Sequence, residues 1–174
     1  MSPQVSNVRL TCIGQNGMIG GTAARRKSQR PPFPSSGATA RHSKRAVIYL
    51  DTSVALAHLL GEDRAPPVTL WDEVLVSSRL LQYELWTRID ARHLASSHGE
   101  GARVLLGRVA LLELAPPVLA RALEPFPVPV RTLDALHLAS IEFLRSQGQV
   151  VKLATYDDRL FAAARALEVE VLAL

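Results

Sequence analysis

Residues 47–53 read Val-Ile-Tyr-Leu-Asp-Thr-Ser, an apolar run that ends in one acid and two hydroxyl side chains. The apolar part predicts a short buried strand, and the residues that follow, as far as Leu60, have helical spacing. An acid between a strand and a helix lies at the carboxyl end of a parallel sheet, where open α/β folds bind their ligands. Asp51 is therefore the first candidate site residue. In the alternative interpretation, Asp51, Thr52 or Ser53 only caps the helix.

The rest of the chain repeats this alternation of strand and helix. Further strands are predicted at about 73–77, 111–114, 150–154 and 169–172, and helices at about 79–97, 99–110, 116–124, 133–146 and 157–167. Ser77 or Ser78 is expected to cap the second helix, and Thr132 the fifth. Strands that alternate with helices predict a central parallel sheet in a three-layer α/β/α sandwich.

The charge of the chain is divided between two parts. Residues 1–45 carry eight Lys or Arg and no Asp or Glu, whereas residues 46–174 carry twelve Lys or Arg and sixteen Asp or Glu. We therefore predict a basic extension at 1–45 and one folded domain at 46–174. The basic isoelectric point belongs largely to the extension, so it does not mark the fold as a nucleic-acid binder.

The extension has neither a helical nor a strand period and is rich in Gly, Pro, Ser and Arg. We predict that it is disordered, because it can bury too little apolar surface to offset the entropy of ordering. An organelle transit peptide and a misassigned start codon are the open alternatives. A basic arm that touches RNA is a weaker one.

Some classes of protein are disfavoured by what the sequence lacks. Cys12 is the single cysteine, which excludes an intrachain disulfide and a cysteine zinc site and fits a reducing compartment. No apolar run reaches the roughly 18 residues of a membrane span, and no long apolar segment suggests a secretory signal. We expect a cytoplasmic protein that does not enter a membrane.

A second acid stands on a helix face that otherwise packs. Glu84 follows Leu80 and Leu81 by four and three residues, so these side chains share one side of the helix. A carboxylate there must be paired, hydrated or bound to something. The alternative is an ordinary helix pair with Arg88, its i+4 neighbour.

Two more acids stand near the starts of predicted helices. Asp134 lies in the first turn of a strongly apolar helix, where the helix dipole favours an anion. Asp157 follows the strand at 150–154, as Asp51 follows the first strand. Capping is again the alternative for Asp157, and Asp158 could share that role.

All four acids are expected to converge on one edge of the parallel sheet. Two carboxylates about 5 Å apart repel by roughly 3 kcal/mol at an effective dielectric constant of about 20. Such a cluster persists only if a cation or shared protons neutralise it. Oxygen ligands without cysteine or a histidine cluster favour a hard ion, Mg²⁺, with Mn²⁺ as an acceptable substitute.

With these acids in view, residues 46–174 resemble PIN-domain ribonucleases, and most closely the VapC-type toxins of bacterial type II toxin–antitoxin pairs. Four segments carry the resemblance, in the order and with the intervening secondary structure of the family: 49–53, 83–85, 131–139 and 154–160. The extension at 1–45 departs from the family, whose members usually begin almost at the first strand.

The resemblance implies a function and a site. It implies Mg²⁺-dependent endonucleolytic cleavage of RNA, a cognate VapB-like antitoxin, and a homodimer that forms a larger assembly with that antitoxin. The implied catalytic and metal-binding residues are Asp51, Glu84, Asp134 and Asp157, with Ser53 and Thr155 as supporting residues.

Two alternatives to a nuclease are considered. A catalytically inactive PIN-like binding module would keep the fold without using its acids. A response-regulator receiver would share the layered fold and an acidic site, but Glu62-Asp63 lies in the wrong place for its acidic pair and no lysine occupies the expected late strand end.

Other side chains near the acids have weaker claims. Arg79, Arg88 and Arg159 could contact the RNA backbone, although surface arginines are common. We favour a packed or hydrogen-bonded role for His137 over that of a general base. Trp71 and Trp86 could stack on bases, but packing in the core or an interface is the favoured interpretation.

Overall fold

A computed structural model describes residues 45–174 of the 174-residue chain. The disordered extension predicted at 1–45 therefore falls outside the described residues, except for Arg45, whose guanidinium pairs with Glu73 at 3.0 Å on the surface. Within 45–174, no helix is long and apolar enough to cross a membrane.

Strands and helices alternate along the described chain. The strands are β1 (Val47–Leu50), β2 (Leu75–Ser78), β3 (Ala110–Leu112), β4 (Val151–Ala154) and β5 (Glu170–Val171). The helices are α1 (Thr52–Leu60), α2 (Arg79–Ala91), α3 (Ala95–Gly107), α4 (Pro116–Ala122), α5 (Thr132–Ser146) and α6 (Asp158–Ala166), with a 3₁₀ helix at Val68–Asp72.

The five strands form one parallel sheet in the order β3-β2-β1-β4-β5. Ile48 of β1 is paired with Leu75 of β2 on one side and Lys152 of β4 on the other. The chain moves outward from β1 in one direction and then returns to β4 on its other side. The carboxyl ends of β1 and β4 therefore flank the switch point at which such sheets form their ligand crevice.

Two apolar clusters show that helices cover both faces of the sheet. Ile48 and Leu50 of β1 belong to a cluster with residues of α1, α2 and α3, whereas Tyr49 belongs to a cluster with residues of α5 and α6. Alternate side chains of a strand point to opposite faces. The predicted three-layer α/β/α sandwich with a parallel central sheet is thus confirmed.

Some predicted element boundaries are wrong. The second helix was predicted to reach residue 97, but α2 ends at Ala91, and α3 begins at Ala95 rather than 99. His93 adopts the left-handed conformation with φ 55°, and the N–H of Leu94 donates to Ile89 at 2.9 Å, so the helix closes there. The edge strands β3 and β5 are shorter than predicted, with three and two residues.

The capping hydrogen bonds predicted for hydroxyl side chains at the starts of α2 and α5 do not form among the described residues. Ser78 occupies the N-cap position of α2 but makes no capping hydrogen bond, and Ser77 instead donates to the carbonyl of Leu50 at 2.8 Å. Thr132 is the first residue of α5, and Arg131 precedes it as the N-cap residue. Ser77 is buried within β2, so its hydroxyl donates to the backbone at the end of the neighbouring strand β1 and does not cap α2.

Both tryptophans pack against the first apolar cluster, as predicted. The ring of Trp71 lies 4.2 Å from that of His58, between ring centroids, and Trp86 packs beside Gly99. Neither ring needs a ligand to explain its position.

Candidate active site

Asp51 lies between β1 and α1 and is both a helix cap and a buried acid. Its Oδ2 accepts hydrogen bonds from the backbone N–H of Ser53 at 3.3 Å, the Ser53 hydroxyl, and the Thr155 hydroxyl at 2.8 Å. Only 5% of the residue is exposed. Its Oδ1 lies 3.8 Å from Nε2 of His137 and accepts no hydrogen bond within the described part of the chain.

Ser53 and Thr155 join the ends of the two central strands. The Ser53 hydroxyl accepts the N–H of Tyr156 at 2.9 Å, and the Thr155 hydroxyl accepts the N–H of Asp157 at 3.0 Å. Because these hydroxyls also bond to Asp51, the loop after β4 is held against the loop after β1. The first and last acids of the predicted quartet thus share one hydrogen-bond network.

Glu84 reaches the same edge from α2. Its Oε2 accepts hydrogen bonds from the hydroxyl of Thr52 at 2.6 Å and from Nε2 of His137 at 3.0 Å. Burial would raise the pKa of Glu84, but the hydrogen bonds from His137 and Thr52 outweigh burial and lower the pKa. The alternative ion pair with Arg88 does not form among the described residues, although the charge of Arg88 also lowers this pKa.

His137 is a buried cation in the acidic site. The residue is 2% exposed, its Nδ1 lies 3.0 Å from the hydroxyl of Tyr49, and its Nε2 lies 3.0 Å from Oε2 of Glu84. Burial alone would lower the pKa of His137, but its interactions with Tyr49, Glu84 and Asp51 outweigh burial and raise the pKa to about 10. At neutral pH the ring therefore donates from both nitrogens, and the hydrogen-bonded role that we favoured for His137 is confirmed.

Asp134, the third residue of α5, experiences the charges of the other aspartates. Burial, the charge of Asp157 and the charge of Asp51 raise the pKa of Asp134, although the backbone of Arg131 and the charge of His137 act in the opposite direction. Burial is the largest of these causes, and the charges of the two aspartates add to it. Asp51, Asp134 and Asp157 are therefore electrostatically coupled at one edge of the sheet.

Asp157 caps α6, as the alternative interpretation proposed. Its Oδ1 accepts the N–H of Arg159 at 2.7 Å and of Leu160 at 3.1 Å. Its Oδ2 accepts no hydrogen bond among residues 45–174. Capping and function are compatible here, because the cap uses one oxygen and fixes the direction of the other.

The comparisons with known proteins agree with this geometry. A protein-family model described as PIN domain matches residues 48–166. The chain belongs to the PIN-domain family. The response-regulator alternative is therefore wrong.

Two curated PIN-domain relatives come from Mycobacterium tuberculosis. The chain is 32% identical to Ribonuclease VapC47 of strain CDC 1551 / Oshkosh over 126 residues, which cover 68% of this chain and 90% of that protein. It is 31% identical to Ribonuclease VapC46 of strain ATCC 25618 / H37Rv over 131 residues, which cover 74% of this chain and 98% of that protein. The resemblance to VapC-type PIN ribonucleases is thus confirmed.

A divalent cation suits the donor set of this PIN domain. In Asp51, Glu84 and Asp157, one carboxylate oxygen accepts every hydrogen bond that the acid receives from residues 45–174, and the other oxygen accepts none of them. Anchored carboxylates that each keep one oxygen open are suitable ligands for a hard ion. No group of three or more His, Cys, Asp or Glu within 45–174 already has the arrangement of a metal site. The case for a bound cation therefore rests on the oxygen ligands and the negative charge of these acids.

Sequence reasoning missed the residues that anchor Glu84. The sequence predicts Thr52 as a possible helix cap and Tyr49 as part of an apolar strand, and it predicts no contact of either with Glu84 or His137. His137 lies 53 residues from Glu84 and 88 from Tyr49 along the chain, so no local spacing connects the three. The pair at Asp134 and His137, three residues apart on one helix, was the single available signal.

Proposed function

We propose that this PIN-domain protein is a Mg²⁺-dependent endoribonuclease and the toxin of a VapBC-type toxin–antitoxin pair. The observation that carries the proposal is the acidic edge, where hydrogen bonds fix one oxygen of three acids and leave the other open. The relatives are named as ribonucleases of the VapC type, which supports the same activity for this chain.

Asp51 and Asp134 are our candidates for direct metal ligands. Glu84 and Asp157 would ligate directly, ligate through water or orient the attacking water. Mg²⁺ is the ion that fits an all-oxygen donor set, with Mn²⁺ as a substitute. When bound, such an ion supplies Lewis acidity that favours water attack on a phosphodiester and stabilises the charge that develops.

The remaining residues of the network would hold these acids in place. Ser53 and Thr155 restrain Asp51, while Thr52 and His137 restrain Glu84. Pre-organised ligands lose little conformational entropy when they bind an ion. The buried imidazolium would also keep Glu84 in its anionic form, the form that binds a cation or accepts a proton.

A catalytically inactive binding module is the less favoured alternative. Such a module would have no need of a half-buried carboxyl beside two other aspartates, whereas burial and the charges of Asp157 and Asp51 raise the pKa of Asp134. Calorimetry with Mn²⁺ separates the two functions, because an inactive module should show no metal binding that depends on the quartet.

The biological setting follows from the proposed function. A VapB-like antitoxin with Arg or Lys entering the acidic edge would silence the enzyme. We further propose a homodimer, a larger assembly with the antitoxin, and action on RNA in the cytoplasm.

The proposed activity can be tested with the full chain. We expect cleavage of single-stranded RNA with Mg²⁺ or Mn²⁺, and loss of cleavage with EDTA. Asp51→Asn and Asp134→Asn should keep the fold and reduce cleavage by about 100-fold or more. Equal cutting by both variants and the wild type would show that the assignment is wrong.

A further inference from the structure

Four arginines in the described part of the chain form neither an ion pair, a side-chain hydrogen bond nor a ring contact. The other described arginines bind acids, carbonyl oxygens or aromatic rings. Every Asp and Glu lies within residues 46–174, so the extension offers these four no acidic partner. They are Arg88, Arg131, Arg159 and Arg165.

Two of these arginines line the same pocket beside the acidic edge. Arg131, the N-cap residue of α5, and Arg159, in the first turn of α6, face a pocket of about 430 Å³ that Asp134 also lines. Apolar side chains complete the wall: Val128, Pro129, Val130 and Ala162. The pocket thus combines two free cations with a quartet acid.

The two guanidinium groups do not neutralise Asp134. Neither forms an ion pair with Asp134 or with any other acid of the described residues, although both line the pocket that Asp134 lines. Arginines that served to balance the acidic edge would be expected to pair with it, as Arg121 pairs with Glu142 at 2.7 Å elsewhere. Both guanidiniums are therefore available to an external anion.

We propose that Arg131 and Arg159 form a subsite for a backbone phosphate of the RNA, next to the bond that is cut. The proposal rests on the proposed ribonuclease function and adds how the substrate is held. An RNA strand must bring its phosphates close to carboxylates, and two arginines on the approach would offset that repulsion. The planar guanidinium fork binds phosphate oxygens in pairs, and such contacts position a strand without reading its sequence.

The chain offers a matched control for this subsite. Arg165 lies on α6, as Arg159 does, and is exposed and without a partner among the described residues, but it does not line the pocket. Arg131→Gln/Arg159→Gln would be compared with Arg165→Gln, each in the Asp51→Asn background so that the RNA stays intact. Fluorescence anisotropy with a labelled single-stranded RNA would give Kd between 50 and 200 mM salt, a range in which phosphate contacts are sensitive to salt.

We expect the double substitution to raise Kd roughly tenfold at low salt and to reduce the slope of log Kd against log salt by about 1.4, or 0.7 for each contact to a single strand. Arg165→Gln should keep Kd within about twofold and leave the slope unchanged. In the active background, the double substitution should raise KM more than it lowers kcat. Thermal melting would verify that all variants are folded.

The outcomes separate the subsite from the ribonuclease function. If the double variant and Arg165→Gln change Kd, slope and KM equally, the subsite is refuted even though the wild type cuts RNA. If the wild type fails to cut RNA with Mg²⁺ or Mn²⁺, the ribonuclease function itself fails, and the subsite fails with it.

Discussion

Nε2 of His137 lies 3.0 Å from Oε2 of Glu84, although 53 residues separate the two in sequence. The hydroxyl of Tyr49 holds the opposite ring nitrogen at 3.0 Å. The buried side chain of His137, on α5, thus connects β1 and α2 through these two hydrogen bonds. Because its pKa is raised and that of Glu84 is lowered, the two form an ion pair within the acidic site.

Loss of this pair should destabilise the fold. We expect His137→Gln to lower the free energy of unfolding by about 3 kcal/mol, since removal of one member of a buried pair leaves the other charge uncompensated. Tyr49→Phe removes a single hydroxyl and should cost about 1 kcal/mol. Urea denaturation of the metal-free protein measures both; a loss below 1 kcal/mol for His137→Gln would mean that the pair contributes little.

The stability of the metal-free protein should depend on alkaline pH through His137. Folding raises the pKa of His137 from 6.5 to about 10, so its contribution is complete below pH 6.5 and is lost as the pH rises towards 10. The free energy of unfolding in EDTA should fall across this window more steeply for the wild type than for His137→Gln. Parallel pH profiles would contradict the ion pair.

Asp157→Asn should separate capping from catalysis. Asparagine caps a helix about as well as aspartate, so the melting temperature should change little while RNA cleavage falls about 100-fold or more. Asp158→Asn is the matched control, because Asp158 is the neighbouring first residue of α6 and lies outside the quartet. If the two variants cleaved RNA equally well, Asp157 would not be a catalytic residue.

Asp134→Asn should stabilise the metal-free protein. The raised pKa of Asp134 indicates that burial and the charges of Asp157 and Asp51 disfavour its anion, and the neutral amide removes that repulsion. Mn²⁺ should raise the melting temperature of the wild type, because a ligand that binds only the folded state stabilises it, but not that of the variant. If Asp134 were not a ligand, calorimetric scans would show that Mn²⁺ raises the melting temperature of the variant as much as that of the wild type.

The domain division can be tested by truncation. We expect a chain without residues 1–44 to unfold at the same temperature as the full chain, because the described members of both apolar clusters lie within residues 47–172. The exposed ion pair between Arg45 and Glu73 would remain and is worth under about 1 kcal/mol. A large drop in melting temperature would show that the extension is part of the fold.

Local patterns were sufficient where an element depends on its own residues. The apolar run before Asp51 and the alternation of strands and helices predicted the layers of the fold, since burial of strand faces is encoded in residue order. The end of α2 was misplaced because His93 adopts a left-handed conformation, which its residue type does not require. The hydroxyl of Ser77 does not cap α2, because it donates to the carbonyl of Leu50, a contact that exists only after two strands pair.

The sequence by itself determined the fold class and the family resemblance, and it named four acids as candidates for the site. Only the tertiary structure decided which oxygen of Asp51, Glu84 and Asp157 is anchored. It also decided that His137 is a buried cation between Tyr49 and Glu84, and that Arg131 shares a pocket with Arg159. The physical reason is that secondary structure follows from local periodicity, whereas hydrogen bonds and charge interactions depend on distances that chain folding sets between remote residues.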